Sequence, residues 1–309
     1  MQHISVLLNE CIENLNISPN KIYVDGTLGR AGHSSEILKK LDFGHLYAFD
    51  KDCQAIKESN ERLLKISNNF TLINDDFSNM TNDLANLGIS EVDGILLDLG
   101  VSSPQFDDPN RGFSYRFDAK LDMRMDQNQA LSAYEVVNDY AYGDLVRIFF
   151  TYGEEKFSKQ IARAIVKVRE TNKIETTLQL VDVIKSALPS KVLNSKGHPA
   201  KQVFQAIRIE VNHELEALEL VLEQAIKLLA PKGRLVVITF HSLEDRMVKN
   251  IFKEWCKDFD FDKKIPIKAS DIKQSDYQLV NKKVILPTVE ELEHNKRSHS
   301  AKLRVLERK

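Results

Sequence analysis

Cysteine is scarce in this chain of 309 residues. Cys11, Cys53 and Cys256 form no Cys-x-x-Cys and no paired spacing, which excludes a disulfide scaffold or a zinc knuckle and fits a reducing, cytoplasmic setting. The eight histidines show no ligand spacing with one another or with cysteine, so no metal is expected. No apolar run approaches the roughly 20 residues that span a bilayer. The opening ten residues lack the basic start and apolar core of a signal peptide. Internal repeats and low-complexity segments are missing as well. Net charge is nearly nil: 43 Lys and Arg against 45 Asp and Glu leave −2, which taken alone argues against a nucleic-acid binder.

What is present is ordinary in amount and uneven in placement. A hydrophobic content of 42% with 28% charged residues suits one large globular domain or two smaller ones. Between Lys156 and Lys201 stand ten Lys and Arg against three Asp and Glu, and from His294 onward six against one. Two basic patches on a neutral chain suggest one anionic partner met at one face. A solvated helix surface and a frayed tail account for the same charges equally well.

The first third alternates strand and helix. Strands are expected at Lys21–Val24, His45–Phe49, Phe70–Ile73 and Gly94–Leu97, with helices over Ser34–Lys40 and Cys53–Ile66. That rhythm implies right-handed crossovers and a parallel sheet. It breaks after Pro104 and resumes with one long helix over Pro199–Leu229. That helix rests on the repeat Val211, Leu215, Leu218, Leu222, Ala225 and Leu229, closed by Pro231-Lys232-Gly233. A strand over Arg234–Phe240, a helix over Leu243–Trp255 and an edge strand over Ala301–Glu307 complete the pattern. Ser242 is the expected cap of that last helix, with Asp245 completing a capping box. His241 is a lesser candidate to face a substrate. The implied organisation is a discontinuous α/β domain, residues 1–105 and 206–309, interrupted by a mostly helical insertion at 106–205.

Two strand ends carry chemistry. Asp25 to His33 reads Asp-Gly-Thr-Leu-Gly-Arg-Ala-Gly-His, with Gly26, Gly29 and Gly32 three apart. Such glycines let the backbone turn tightly and approach a ligand, and the following helix offers its N–H groups. The literal Gly-x-Gly-x-x-Gly is absent, so a tight turn without a ligand stays open. Asp50 closes the second strand, where an acid accepts both ribose hydroxyls of an adenosine. Asp75, Asp76 and Phe77 close the third, with Phe77 placed to meet an adenine. Acids are poor neighbours for a pyrophosphate and good ones for a cationic adenosine compound such as S-adenosylmethionine. The fourth strand ends in Asp98, and the loop after it holds Ser102 and Ser103. These groups can accept hydrogen bonds from an exocyclic base amine and turn its conjugated lone pair toward a methyl group. No cysteine lies in that loop, which disfavours the covalent route of carbon-5 methylation. A plain turn aspartate at 98 is the competing reading.

The chain resembles the RsmH (MraW) family, bacterial enzymes that methylate N4 of a cytidine in 16S rRNA. The resemblance rests on both segments above and on Arg111-Gly-Phe-Ser-Tyr, Leu121-Asp-Met-Arg-Met-Asp126 and Tyr152-Gly-Glu-Glu155. It continues through His198-Pro-Ala, Phe204-Gln-Ala-Ile-Arg-Ile, Phe240-His-Ser-Leu-Glu-Asp-Arg246 and Arg297-Ser-His-Ser-Ala-Lys-Leu-Arg304. It implies a Rossmann-like class I methyltransferase sheet with an inserted helical domain, and S-adenosylmethionine as cofactor. The donor would be held around Ala31, Gly32 and His33, with Asp50, Phe77, Asp98 and Gln105. Gln105 comes from the resemblance alone. The implied partner is 16S rRNA within the small ribosomal subunit, near the decoding centre. Two departures stand out. Ala31 replaces a usual glycine, and its methyl disfavours positive φ, so φ below zero is expected there. His299 stands where arginine is common, exchanging a permanent charge for a titratable one.

On the helix expected from Lys156, an apolar face of Phe157, Ile161, Ala164, Ile165 and Val168 opposes Lys156, Lys159, Arg163 and Lys167. With Arg297 and Arg304 these cations are candidate contacts to RNA phosphates. Arg111 to Phe117 interleaves arginines with aromatics, as single-strand binders do, and as a strand burying one face also would. Two other functions were weighed. A Rossmann oxidoreductase accounts for the glycine turn but lacks a hydride-transfer His/Lys pair. A non-catalytic RNA-binding module leaves Asp50 and Asp98 idle.

Overall fold

Strands that are apolar on both faces pair in parallel when helices cover the two sides. Here β1 (Ile22–Asp25), β2 (His45–Phe49), β3 (Phe70–Ile73), β4 (Val92–Asp98) and β5 (Leu229–Thr239) are all parallel. β6 (Tyr277–Leu279) and β7 (Lys302–Arg308) add antiparallel pairings, giving a seven-stranded sheet of order β3-β2-β1-β4-β5-β7-β6. This is the Rossmann-like sheet read from the sequence, in a computed structural model that describes residues 5–100, 108–195, 197–258 and 274–309. The chain moves outward from β1 to β3, then returns to place β4 on the other side of β1. Ligands of such sheets gather at that switch point, beyond the carboxyl ends of the strands. Among the described residues no helix is long and apolar enough to cross a membrane.

Two compact units divide the chain, residues 1–100 with 216–309, and residues 101–215. The first is the sheet with α1 (Leu8–Leu15), α2 (Gly32–Leu38), α3 (Cys53–Leu64) and α4 (Met80–Asn86). The second holds α5 (Ala133–Asp139), α6 (Tyr142–Thr151), α7 (Ser158–Arg169), α8 (Thr177–Ser186), α9 (Ser190–Leu193) and α10 (Lys201–Asn212). Their common core includes Val136, Phe149, Ile161, Ile165, Ile184, Val203 and Ile207. The sequence places the insertion's end at 205, whereas the compact unit runs to 215. Val203, Phe204, Ile207 and Val211 of α10 pack into the insertion's own core, which is why the unit extends that far.

Several local expectations are corrected. The helix read as continuous over Pro199–Leu229 breaks at His213, which takes φ 50° as the left-handed cap of α10 before α11 (Glu214–Leu228) starts. β7 is not an edge strand, because β6 covers its outer side. Before the helix α12 (Ser242–Trp255), the cap is His241 and its box partner is Glu244, one residue earlier than the expected Ser242 and Asp245. Asp245 instead receives Arg304 Nε at 2.7 Å and Lys302 Nζ at 3.0 Å. Arg304 therefore ties β7 to α12 and is only 18% exposed, which removes it from the expected RNA contacts.

Burial alone would raise the Asp245 carboxyl, but hydrogen bonds from Arg304 and Lys302 overcome that and hold it below its ordinary value. A depressed acid contributes stability above its unfolded pKa and loses it as pH falls through the folded value. Asp245→Asn should cost about 2 kcal/mol at neutral pH. Denaturant melts should show that gap closing below pH 4, as the wild-type carboxyl also protonates. An equal gap at every pH would refute the ion pair's role.

Candidate active site

β1 to β4 end on one edge of the sheet, and an acid stands at or just beyond each end. Asp25 closes β1 and is almost fully buried. Its carboxylate accepts from Ser34 Oγ at 2.6 Å, Thr27 N at 3.0 Å and Thr27 Oγ at 3.4 Å. The same Thr27 hydroxyl accepts the Asp98 amide at 2.7 Å. Gly26 N donates to Leu96 O at 2.9 Å and Leu28 N to Phe49 O at 2.9 Å. The glycine turn is thereby fastened to β4 on one side and β2 on the other.

Asp50 fastens it too. Its two oxygens accept Gly29 N at 2.9 Å and Asp52 N at 2.9 Å, which leaves further lone pairs on each. Burial pushes this carboxyl up to about 6, against the pull of those two backbone donors. Gly32 serves packing more than ligand approach, because a Cβ there would fall 1.8 Å from Ser5 Oγ. Ala31 contradicts the sequence expectation: it caps α2 at φ 55°, in the left-handed region. A left-handed non-glycine costs about 1–2 kcal/mol, and burying its methyl returns about 0.8. Ala31 is fully buried in the core beneath the turn, so its burial returns part of that cost.

His33 and Asp98 form the centre. His33 is buried, and its Nε2 lies 3.0 Å from Val6 O. That bond requires a proton on Nε2 and turns Nδ1 toward Asp98 Oδ2, 3.6 Å away. The Asp98 side chain keeps 25% exposure, yet its Oδ1 is buried without a hydrogen-bond partner among the described residues. Burial raises its pKa to about 6; His33 lowers it, and Asp25 and Glu244 add to the rise. Glu244 is itself buried, accepting Phe240 N at 2.8 Å and His241 N at 3.2 Å. His241 thus serves as the helix cap, with its Nε2 3.0 Å from Glu244.

Phe77 opens a short turn after β3, half-buried, with Lys51 Nζ 5.9 Å from its ring centre. Lys51 pairs with Asp76. Ser102, Ser103 and Gln105 lie outside the described residues. Sequence reasoning brought Ala31, Gly32, His33, Asp50, Phe77 and Asp98 to one sheet edge. It passed over Ser5 and Val6, and also Thr27 and Glu244, which lie inside segments already singled out.

Within the insertion, Lys159, Arg163 and Lys167 are exposed along α7, opposite buried Ile161, Ala162 and Ile165, and Lys156 is exposed in the turn before the helix, which starts at Ser158 rather than at Lys156. Val168 departs from the expected apolar face and is 38% exposed. Arg297 is exposed beside the short turn Ser298–Ser300. No strand forms over 111–117: Phe113 is core, Phe117 is half-exposed, and Tyr115 stacks on His198.

A model of the MraW methylase family matches residues 1–309. The chain belongs to that family. It is a methyltransferase, and its cofactor is S-adenosylmethionine. Among solved structures it is similar to a protein described as an rRNA-methylase from Clostridium thermocellum, at 11% identity and TM-score 0.47, with all of both chains covered. A methyltransferase of Streptococcus mutans in complex with SAH shows 14% identity and TM-score 0.43, covering 99% of this chain and all of that one. An rRNA methylase of Streptococcus thermophilus shows 12% identity and TM-score 0.41, covering 97% and 93%. The acids fit the methylase cofactor. Asp25, Asp50 and Asp98 gather where a sulfonium and an ammonium would be welcome, and Asp98 offers a buried acceptor that meets no donor among the described residues.

Asp98→Asn tests that electrostatic state. A carboxyl raised to about 6 costs the folded protein stability above that pH, and the cost fades as pH falls toward the unfolded value. The variant should melt higher than wild type at pH 8, by about 2 kcal/mol, with no difference near pH 4. A variant less stable than wild type at pH 8 refutes a desolvated charge at this position.

Proposed function

We propose that this methylase modifies N4 of a cytidine in 16S rRNA, near the decoding centre of the small ribosomal subunit. The observation that carries the reading is the buried Asp98 Oδ1 at the switch point of the sheet, without a partner among the described residues. An acceptor there suits an amine nucleophile, which must lose a proton and whose lone pair is otherwise conjugated with the ring.

The backbone around Ala31, Gly32 and His33 would hold the donor, with Asp50 accepting its ribose hydroxyls and Phe77 meeting its adenine; Gln105 is a further candidate that the family resemblance adds. S-adenosylmethionine supplies an electrophilic methyl on a positively charged sulfur. Asp98 Oδ1 accepts an amine N–H, aims the lone pair and receives the proton released; Ser102 and Ser103 are further candidate acceptors. Above pH 6 Asp98 is mostly ionised and able to do this. When His33 carries a proton on Nδ1 as well as Nε2, its charge 3.6 Å from Oδ2 favours the ionised carboxylate.

A paired cytosine cannot present its amine, so the target base is unpaired or extruded. The insertion, residues 106–205, is the RNA-recognition part, with Lys156, Lys159, Arg163 and Lys167 on phosphates and Arg297 contributing from the tail. Three exposed cations on successive turns of α7, Lys159, Arg163 and Lys167, with Lys156 exposed in the turn before it, support this, because phosphate neutralisation supplies most sequence-independent affinity for RNA.

Small subunits from cells lacking the activity, incubated with the protein and labelled S-adenosylmethionine, should yield label in N4-methylcytidine after nucleoside digestion. Asp98→Ala should abolish it while the protein stays folded. Label in another nucleoside would keep the fold and overturn the substrate. Lys159→Glu with Arg163→Glu should weaken RNA binding at least tenfold and flatten its salt dependence, with cofactor affinity unchanged. Unaltered RNA affinity would remove α7 from the interface.

A further inference from the structure

Tyr115 and His198 come from distant parts of the insertion and stack face to face. Their ring centres are 4.3 Å apart and the planes 12° from parallel. Phe204, in the insertion's core, meets Tyr115 edge-on at 5.7 Å. Phe204 therefore anchors the tyrosine from within, and both stacked rings keep part of their surface in solvent.

His198 carries more information than a packed ring would. Its Nδ1 accepts the Ala200 amide at 3.3 Å, which places the proton on Nε2. That Nε2–H has no hydrogen-bond partner among the described residues. Burial, then Lys185 and Arg116, lower its pKa, so the imidazole is neutral at physiological pH. Arg116 and Lys185 are themselves exposed, and Phe117 beside Arg116 is 51% exposed. Aromatic faces, a fixed neutral donor and flanking cations together match an unpaired nucleotide: base on ring, acceptor edge on N–H, phosphate on cation.

We infer that Tyr115 and His198, with Arg116 and Lys185, form a stacking site for one unpaired RNA nucleotide. This rests on the RNA reading above and goes beyond it, because the basic stripe of α7 reads only phosphates. The site distinguishes single strands, whose bases are free to stack, from duplexes, whose bases are not.

The probe is a labelled single-stranded oligoribonucleotide, compared with the duplex of the same sequence. His198→Ala and Tyr115→Ala should each weaken single-strand binding about tenfold, the size of one stacked base. Duplex binding should move less than twofold, and Tyr115→Phe should bind as wild type. Melting and cofactor titrations confirm that the variants are folded. Folded His198→Ala that binds the single strand as tightly as wild type overturns the site. Photocrosslinking of the wild-type protein to thiouridine-bearing RNA gives a check that needs no variant. Crosslinks at Tyr115, His198 or their flanking residues support the site, and crosslinks confined to other segments overturn it. Wild type that binds neither RNA overturns the RNA reading itself, and this site with it.

Discussion

The Thr27 hydroxyl is the joint on which the site depends. It accepts the amide of Asp98, 71 residues further along the chain, and donates to Asp25, and so bridges the ends of β1 and β4. A side chain that cannot accept leaves the Asp98 amide without this partner, at about 1–3 kcal/mol, while Asp25 keeps Ser34 Oγ and the Thr27 amide. Because β1 and β4 flank the switch point, this one bridge sets the separation between the glycine turn and Asp98. The other fastenings follow from it. Gly26 bonds to β4, Leu28 to β2, and Asp50 receives Gly29, so the turn has little freedom. A pocket held this tightly loses little entropy when a ligand enters.

The charge arrangement runs against stability and toward binding. Asp25, Asp50 and Asp98 converge with Glu244 nearby, and His33 is the group among them that can carry positive charge beside Asp98. Asp50 and Asp98 are both raised to about 6 by burial. A structural network would bring an arginine to such acids, as Arg304 and Lys302 are brought to Asp245. At the sheet edge no such partner reaches Asp98 Oδ1 among the described residues. The same fold therefore neutralises an acid where it needs a tether and, among the described residues, leaves one unpaired at the strand end where we propose that the methyl transfer takes place. Strain of this kind marks functional sites.

Much of this was legible from the residues alone. β2 and β3 lie where alternating apolar residues and flanking acids placed them, and the strand-end acids fall on one edge because parallel strands must end together. The failures have local causes. The apolar repeat runs straight through His213, since α10 and α11 each bury a face. The break is made by Asn212, whose side chain reaches Met123 O at 2.8 Å and Met125 N at 2.7 Å, contacts invisible in a linear pattern. Histidine is an uncommon cap, which is why Ser242 was preferred to His241. β6 has three residues and no signal, so β7 looked like an edge. Gly32 looked like a ligand glycine because Ser5, its true neighbour, is remote in sequence.

The insertion separates distinctive sequence from functional surface. Leu121 to Asp126 is among its most distinctive runs, and it builds a scaffold. Asp122 binds Arg124 at 2.7 Å, Met123 takes φ 58°, and Arg111 reaches Arg124 O at 2.8 Å and Met125 O at 3.2 Å. Gly112 sits at φ 71°, where a Cβ would lie 2.4 Å from Lys120 O. These residues are specific because a knot of crossing backbone tolerates few alternatives, a constraint that operates without any ligand. Once they are assigned to folding, what stays exposed is compositionally plain: lysines on α7 and two stacked rings with cations beside them. Contacts to RNA phosphates and base faces demand charge and planarity rather than a particular motif. An RNA surface here is therefore found by removing the residues the fold needs and reading the chemistry of those left in solvent.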